Sequence, residues 1–213
     1  MPANIYRSKL VFIGECTVGK TALLQMIISD GREYPKTYNM TFGTDLQAKR
    51  FSMGTDDIEI LIYDSSGSDL YTHSLSQFWD QPNLLMIVYD VTSKYTFDAV
   101  SEWHKVALAA EWAPISRSPL ASLLFANKCD LSSHRIVSEQ DGRLLAEKLN
   151  MEYFEGSAKE NQGIVEAFQW FTQICHENNE KTSTETNVKP SYDLYHKSIL
   201  RSGSSNNSSP VLI

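Results

Sequence analysis

The sequence predicts an α/β fold, in which a six-stranded and mostly parallel β-sheet carries helices on both faces and one antiparallel strand at its edge. Short apolar runs alternate with segments of helical periodicity along most of the chain, a pattern typical of parallel sheets with crossover helices. Two early strands are separated only by a turn-rich segment, which predicts a hairpin and hence the antiparallel edge strand. With 42% hydrophobic residues among 213, the composition suits one mid-sized domain.

The N-terminal half is predicted to contain four strands and one helix. The first strand is the apolar run KLVFI, which ends at a glycine, and the helix after it has leucine and isoleucine at helical spacing. A polar loop follows, and then the hairpin, whose strands flank the turn-forming segment SMGTDD. The unbroken apolar run LLMIVY predicts a central strand. These elements are the strands 9–13, 46–51, 58–63 and 84–89, the helix 21–29 and the loop 30–42.

The C-terminal half is predicted to contain two further strands and three helices. The first helix, residues 97–112, has its apolar side chains on one face. The second begins after Ser138, a residue type that commonly caps helix N-termini. The remaining predicted elements are the strands 120–126 and 151–154 and the helices 140–149 and 164–174.

The periodic pattern ends near residue 178, and the segment after it is rich in serine, threonine and asparagine. Such a segment buries too little apolar surface to fold alone. We therefore expect an N-terminal extension at 1–6, one domain at 7–178 and a flexible polar tail at 179–213.

The charge and the cysteines exclude several classes of function. A net charge of −7 gives no electrostatic footprint for nucleic acid or anionic lipid, so no nucleic-acid partner is expected. The three cysteines lack metal-like spacing and are expected to be reduced thiols. No run approaches 18 apolar residues, and the N-terminus lacks the apolar segment of a signal peptide. We expect a soluble, cytoplasmic protein.

A phosphate-binding loop is predicted at residues 14–21, which have the sequence GECTVGKT. Gly14 and Gly19 allow backbone torsions that turn successive N–H groups towards phosphates. Lys20 supplies a cation for the β and γ oxygens, and the Thr21 hydroxyl can bind Mg²⁺. The helix N-terminus adds its positive dipole end. The loop alone does not distinguish ATP from GTP.

Two segments at later strand ends predict that the base is guanine. In the segment NKCD, Asp130 can accept hydrogen bonds from guanine N1–H and its 2-amino group, a pair of donors that adenine lacks. In the segment SAK, at 157–159, a backbone N–H can meet guanine O6. A kinase or ATPase that used the same phosphate loop would have no use for these segments.

Together, GECTVGKT, TYNMTFGTDLQAK, LIYDSSG, NKCD and SAK resemble the motifs of Ras-superfamily GTPases, and residues 7–178 resemble the Rab branch. The resemblance implies a P-loop small GTPase fold that binds GTP or GDP with Mg²⁺. Thr41 resembles the first-switch threonine that binds Mg²⁺, and Asp64 resembles the aspartate that holds it indirectly. The implied nucleotide-binding residues are Gly14, Thr17, Val18, Gly19, Lys20, Thr21, Ala22, Tyr34, Thr41, Gly67, Asn127, Lys128, Asp130, Ser157, Ala158 and Lys159.

Two positions depart from that family pattern. Ser68 replaces the usual second-switch glutamine that orients the attacking water, and no other residue is assigned a catalytic role. Cys16 stands where a glycine or another small residue is common near the γ-phosphate. We therefore expect intrinsic hydrolysis at or below about 10⁻⁴ to 10⁻³ per second.

The C-terminus shows no Cys-a-a-X prenylation box, so no direct lipid anchor is expected. The segments KTYNMTFGTDL and SSGSDLYTHSLSQFWDQPNLLMIVYDVT and the missing prenylation box together resemble the Rab-like GTPase subunits of the intraflagellar transport B complex. That resemblance implies a small β-sandwich partner subunit, other subunits of the complex and a place in ciliary transport. The alternative is a Rab-like binding module, or pseudo-GTPase scaffold, in vesicle traffic without significant hydrolysis.

Overall fold

The strands of the chain form one mixed sheet in a computed structural model that describes residues 4–72, 74–110 and 120–186. Within these ranges the strands are β1 (Ile5–Ile13), β2 (Thr44–Met53), β3 (Asp56–Ser65), β4 (Leu84–Asp90), β5 (Ala121–Asn127) and β6 (Glu152–Glu155). Their order in the sheet is β2-β3-β1-β4-β5-β6. Only β2 runs antiparallel to its neighbour, and the other pairs are parallel. The predicted α/β fold with one antiparallel edge strand is therefore confirmed.

Helices connect the strands and cover both faces of the sheet. They are α1 (Lys20–Ile28), α2 (Asp69–Thr72), α3 (Lys94–Asp98), α4 (Val100–Ala109), α5 (Glu139–Lys148) and α6 (Ile164–Thr186). Two 3₁₀ helices, Leu75–Phe78 and Cys129–His134, were not predicted. Within the part of the chain that the structure describes, no helix combines the length and apolar character needed to cross a lipid bilayer.

The core consists of two apolar clusters, one on each face of the sheet. The first joins Leu10 and Phe12 of β1 to α1 and α6, and the second joins Val11 and Ile13 to Trp103 of α4 and to α5. Alternate side chains of β1 enter opposite clusters because successive residues of a strand point to opposite faces. Every residue of β4 is buried, as expected for a central strand covered on both sides.

Some element boundaries differ from the prediction. The helix predicted at 97–112 is observed as α3 and α4, and it begins three residues early because the Ser93 side chain accepts a hydrogen bond from the Thr96 N–H. The end of that predicted helix lies outside the described residues. Ser138 caps α5 as predicted, accepting a hydrogen bond from the Asp141 N–H at 3.0 Å.

The first strand begins earlier than predicted, whereas the division of the chain after Asn178 agrees with the predicted end of the domain. β1 begins at Ile5, inside the expected extension at 1–6, because Ile5 and Tyr6 pair with β3. Residues from Asn179 belong to a second unit, of which the structure describes only the last part of α6 up to Thr186. This stretch lies in the predicted tail and is helical, and the rest of that tail, 187–213, lies outside the described residues.

Candidate functional site

The phosphate loop joins β1 to α1 at the carboxyl edge of the sheet. Gly14 has a φ of +137°, and a Cβ there would lie 2.2 Å from the Val88 carbonyl oxygen of β4, so only glycine fits. Lys20 Nζ donates to the carbonyl oxygens of Gly14 at 2.8 Å and Glu15 at 2.9 Å. Burial lowers the pKa of Lys20 to about 8. The loop therefore places a buried amine, held by backbone oxygens, at the edge where an anion can stabilise its charge.

Three oxygen-bearing side chains meet beside Lys20. Thr21 Oγ1 donates to Asp64 Oδ2 at 2.6 Å and lies 3.1 Å from Thr41 Oγ1. Asp64 is 1% exposed, and its Oδ1 accepts no hydrogen bond from any residue that the structure describes. Burial raises the pKa of Asp64. A buried carboxylate oxygen without a partner, beside two hydroxyl groups, suits Mg²⁺, a cation that prefers oxygen ligands.

The predicted base-reading segments are joined to each other and to the phosphate loop. Asn127 Nδ2 donates to the Val18 carbonyl oxygen at 2.7 Å, and Asn127 Oδ1 accepts from the Ala158 N–H at 3.0 Å. Ser157 Oγ donates to Asp130 Oδ1 at 2.6 Å. These bonds fix the position of the Asp130 carboxylate, which leaves its remaining acceptor capacity for a base.

A residue that the sequence did not single out, Asp90, holds the lysine of the NKCD segment. Asp90 Oδ2 lies 2.6 Å from Lys128 Nζ, and Asp90 Oδ1 accepts from the Thr92 N–H at 2.8 Å. Burial alone would raise the pKa of Asp90, but the bonds from Lys128 and Thr92 outweigh it and lower the pKa. Its position at the carboxyl end of the predicted strand 84–89 was the available signal, because ligands bind at that edge.

Two adjoining cavities link these groups. The phosphate end is lined by Cys16, Lys20, Thr41 and Gly67, and the base end by Asn127, Asp130, Ala158 and Lys159. Gly19, Ala22, Tyr34 and Lys128 line both. Of the other predicted residues, Thr17 and Thr21 line the phosphate end, while Gly14, Val18, Asp64 and Ser157 act through the hydrogen bonds described above.

Most residues of the segment 34–41, which includes the predicted Tyr34 and Thr41, line the phosphate end. The sequence did not single out five further lining residues, because they lie in a segment predicted only as a polar loop: Pro35, Thr37, Tyr38, Asn39 and Met40. Ser68 is absent from the described lining, and its N–H donates to Ser66 Oγ at 3.3 Å.

Comparison with known proteins agrees with this geometry. A family model described as the Ras family matches residues 9–177. The chain is 34% identical over 171 residues to the intraflagellar transport protein 27 homolog of Bos taurus, covering 79% of this chain and 90% of that protein. It is 35% identical to the Homo sapiens homolog over 172 residues, 80% of this chain and 90% of that protein. The Ras-related protein Rab-3 of Caenorhabditis elegans is 30% identical over 169 residues, 79% of this chain and 74% of that protein.

A match over most of the domain, together with relatives above 30% identity that span most of both chains, shows the family. Family membership implies guanine-nucleotide binding, which agrees with the position of Asp130 beside Ser157. The chain is therefore a Rab-like small GTPase of the Ras family.

Proposed function

We propose that this protein binds GTP and GDP together with Mg²⁺, hydrolyses GTP very slowly, and acts as a switch or assembly subunit in intraflagellar transport. The observation that carries this proposal is the convergence of Lys20, the Thr21–Asp64–Thr41 group and Asp130 around two adjoining cavities. In the same order, these groups suit the phosphates of a nucleotide, its Mg²⁺ ion and its base.

Phosphate binding falls to Lys20 and to the backbone N–H groups at the N-terminus of α1. Lys20 Nζ is held by two backbone carbonyl oxygens, and bonds to phosphate oxygens would favour its charged form. Thr21 and Thr41 are the residues that would hold Mg²⁺, with Asp64 behind them. The metal would supply charge that offsets the β and γ phosphates.

A nucleotide-dependent switch is supported by Thr41, which joins residues 34–41 to the phosphate loop through Thr21. A first switch held through this threonine is ordered when the γ-phosphate is present and is released when it is lost. The surface that residues 34–41 present would then differ between the GTP and GDP states.

Slow hydrolysis is supported by the second switch. The serine at 68 is too short to orient water as glutamine does, and Ser68 does not line the phosphate end of the described cavity. Cys16 lines that end and adds a side chain where the transition state forms. Intrinsic turnover at or below about 10⁻⁴ to 10⁻³ per second follows.

The place in intraflagellar transport is supported by the relatives from Bos taurus and Homo sapiens, which are named as intraflagellar transport proteins. We extend the proposal to the partners implied by the sequence: a small β-sandwich subunit and other subunits of the B complex, in the cytoplasm and cilium. Co-purification of the full chain with such a subunit, in GTP and in GDP, tests this part. Failure to form a complex in either nucleotide contradicts it.

A second candidate is a binding module in which nucleotide maintains the assembly surface and is not turned over. The serine at 68 favours it, because the water-orienting group is missing. The two candidates share the nucleotide site, and the rate of hydrolysis distinguishes them.

The test is to denature purified protein, separate the released nucleotide by chromatography, and then follow single-turnover GTP hydrolysis with Mg²⁺. Bound GTP or GDP and a rate near or below about 10⁻⁴ per second support the proposal. No detectable turnover favours the binding module, and a rate above about 10⁻² per second contradicts slow hydrolysis. An Asp130→Ala variant should lose the preference for GTP over ATP.

A further inference from the structure

An acidic residue lies inside the phosphate loop, although this loop must bind an anion. Glu15 follows Gly14 directly, and its backbone carbonyl oxygen accepts from Lys20 Nζ at 2.9 Å. The neighbours Cys16 and Thr17 line the phosphate end of the cavity. A carboxylate at this position would repel the phosphates strongly if it shared that space, because like charges would then lie close together.

The carboxylate of Glu15 is held on the other side of the loop. Its Oε1 accepts a hydrogen bond from the indole N–H of Trp103 at 2.9 Å. Trp103 is 4% exposed and belongs to the second apolar cluster, under α4, whereas α1 packs in the first cluster on the opposite face of the sheet. The indole ring is therefore fixed by packing, and its N–H offers a rigid donor beneath the loop.

We propose that Trp103 is a positioning residue that holds the Glu15 carboxylate on the α4 side, so that the phosphate loop carries an acid without repelling the nucleotide. The inference rests on the proposed nucleotide-binding function. Trp103 acts through Glu15 and touches no nucleotide itself. The effect is electrostatic, so it grows with the charge of the ligand and weakens in salt.

Gly67, which precedes Ser68 in the predicted second switch, lies against the phosphate loop at Glu15. A Cβ at Gly67 would lie 2.4 Å from both the carbonyl carbon of Glu15 and the amide nitrogen of Cys16. Gly67 therefore packs directly on the Glu15 backbone. A Glu15 side chain released from Trp103 would disturb the loop at the point where the second switch contacts it.

The experiment measures binding of GDP and of a non-hydrolysable GTP analogue to nucleotide-free full-length protein with Mg²⁺, at low and high salt. Trp103→Phe removes the donor and keeps an aromatic ring. It should raise the Kd of the GTP analogue about tenfold, and the Kd of GDP by less, with both effects smaller in high salt. Glu15→Gln keeps an acceptor for the indole and removes the charge, so it is the reference for the double variant.

The double variant Glu15→Gln with Trp103→Phe separates positioning from packing. If Trp103 acts by holding a charge, this variant should bind both nucleotides within about twofold of Glu15→Gln alone. Binding as weak as that of Trp103→Phe, or an effect that salt does not change, overturns the inference. Trp170→Phe on α6 is the matched control and should leave both Kd values unchanged.

Thermal melting checks that each variant folds. If Trp103→Phe does not fold, benzothienylalanine at position 103 replaces it, because a sulfur atom takes the place of the N–H while the shape of the ring is kept. The same increase in Kd is expected, and an unchanged Kd overturns the inference. If the wild-type protein binds neither nucleotide, the proposed function itself fails, which is a separate outcome.

Discussion

At the scale of single residues, Gly67 brings the second switch into contact with the phosphate loop. The space for a side chain at this position is taken by backbone atoms of Glu15 and Cys16, which cannot rotate away as a side chain can. Two segments far apart in sequence therefore approach at a position where only a hydrogen atom fits. Any larger residue must push them apart at the phosphate end of the site.

Gly67→Ala should lower the affinity for GTP more than the affinity for GDP, because the added methyl group separates the loops where the γ-phosphate is expected. We expect about a tenfold increase in the Kd of a GTP analogue, measured by titration of nucleotide-free protein. Gly54→Ala is the control: its turn has open space around the added methyl, although its φ of +61° costs some stability. Equal affinities for Gly67→Ala and wild type would contradict this account.

Sequence reasoning singled out residues of contiguous motifs, such as Lys20, Thr21 and Asp130, as candidates, because their chemistry depends on spacing along the chain, and the structure places them on the two adjoining cavities. It missed contacts between distant segments. The bond from Trp103 to Glu15 spans 88 positions, and each partner alone has an ordinary interpretation as a core or surface residue. Asp90 was missed for the same reason, because its partner Lys128 lies on the next strand of the sheet.

At the scale of elements, an ion pair links the chain that follows the NKCD segment to the strand that precedes the SAK segment. Arg135 follows the 3₁₀ helix Cys129–His134, which begins inside NKCD, and its two terminal nitrogens donate to the two carboxylate oxygens of Glu155 at 2.9 and 3.1 Å. Tyr153 adds a third bond to Glu155 at 2.7 Å. Glu155 ends β6, just before the SAK segment, so the pair fixes the distance between the loops that carry Asp130 and Ser157.

Glu155→Gln should lower the free energy of unfolding by about 1.5 to 3 kcal/mol, the usual contribution of hydrogen bonds to a charged group. Urea denaturation measures the change. Glu152→Gln, an exposed residue of the same strand, is the control and should change stability by less than about 0.5 kcal/mol. A similar small change for Glu155→Gln would show that the pair contributes nothing to the fold.

The same pair predicts a pH dependence. Burial alone would raise the pKa of Glu155, but the bonds from Arg135 and Tyr153 outweigh it and lower the pKa below its ordinary value of 4.5. A carboxyl group with a lowered pKa stabilises the fold above its unfolded-state pKa, and this contribution is lost as the pH falls through the folded-state value. The difference in stability between wild type and Glu155→Gln should therefore shrink below about pH 4.5. A difference that stays constant in acid would contradict this.

Most elements could be predicted because strands appear in the sequence as apolar runs and helices as a helical spacing of apolar residues. The exceptions have local physical causes. The polar start of β1, Ile5–Ser8, carries no strand pattern and is ordered by pairing with β3. The short helix α2 and the two 3₁₀ helices contain too few residues to show a period.

At the scale of the whole molecule, the first apolar cluster joins the two ends of the domain. Phe168 of α6 is 1% exposed and contacts the rings of Phe51 on β2 and Phe171 on α6. Ser8 of β1 donates to Cys175 Sγ of α6 at 3.0 Å within the same buried region. The last helix thus packs on the face of the sheet to which β1 contributes Leu10 and Phe12.

Phe168→Ala should lower the free energy of unfolding by about 3 to 5 kcal/mol, because it removes a fully buried ring and leaves a cavity. Leu144→Ala on α5 is the control, since Leu144 is 55% exposed and should contribute little. Chemical denaturation of the two variants side by side gives the comparison. A decrease in the free energy of unfolding below about 1 kcal/mol for Phe168→Ala would mean that the packing of α6 contributes little to this cluster.

Removal of nucleotide and Mg²⁺ should destabilise the whole domain, because a ligand that binds only the folded state shifts the folding equilibrium. At about a thousand times the Kd the stabilisation is about 4 kcal/mol. Melting curves of protein stripped with EDTA, and of the same protein with excess GDP and Mg²⁺, measure it. Asp130→Ala should lose most of the increase in Tm with GDP, and an identical increase would argue against its role in reading the base.

The strand order has a consequence for synthesis on the ribosome. β1 emerges first but lies near the middle of the sheet, where it pairs with β3 on one side and with β4 on the other. Its apolar residues stay uncovered until Leu84–Asp90 has been translated, and one face waits for α6, near the end of the domain. Folding that depends on such distant pairings is slow, and exposed strands of this kind are prone to aggregate. We therefore expect the first strand to stay exposed through much of the synthesis of the domain.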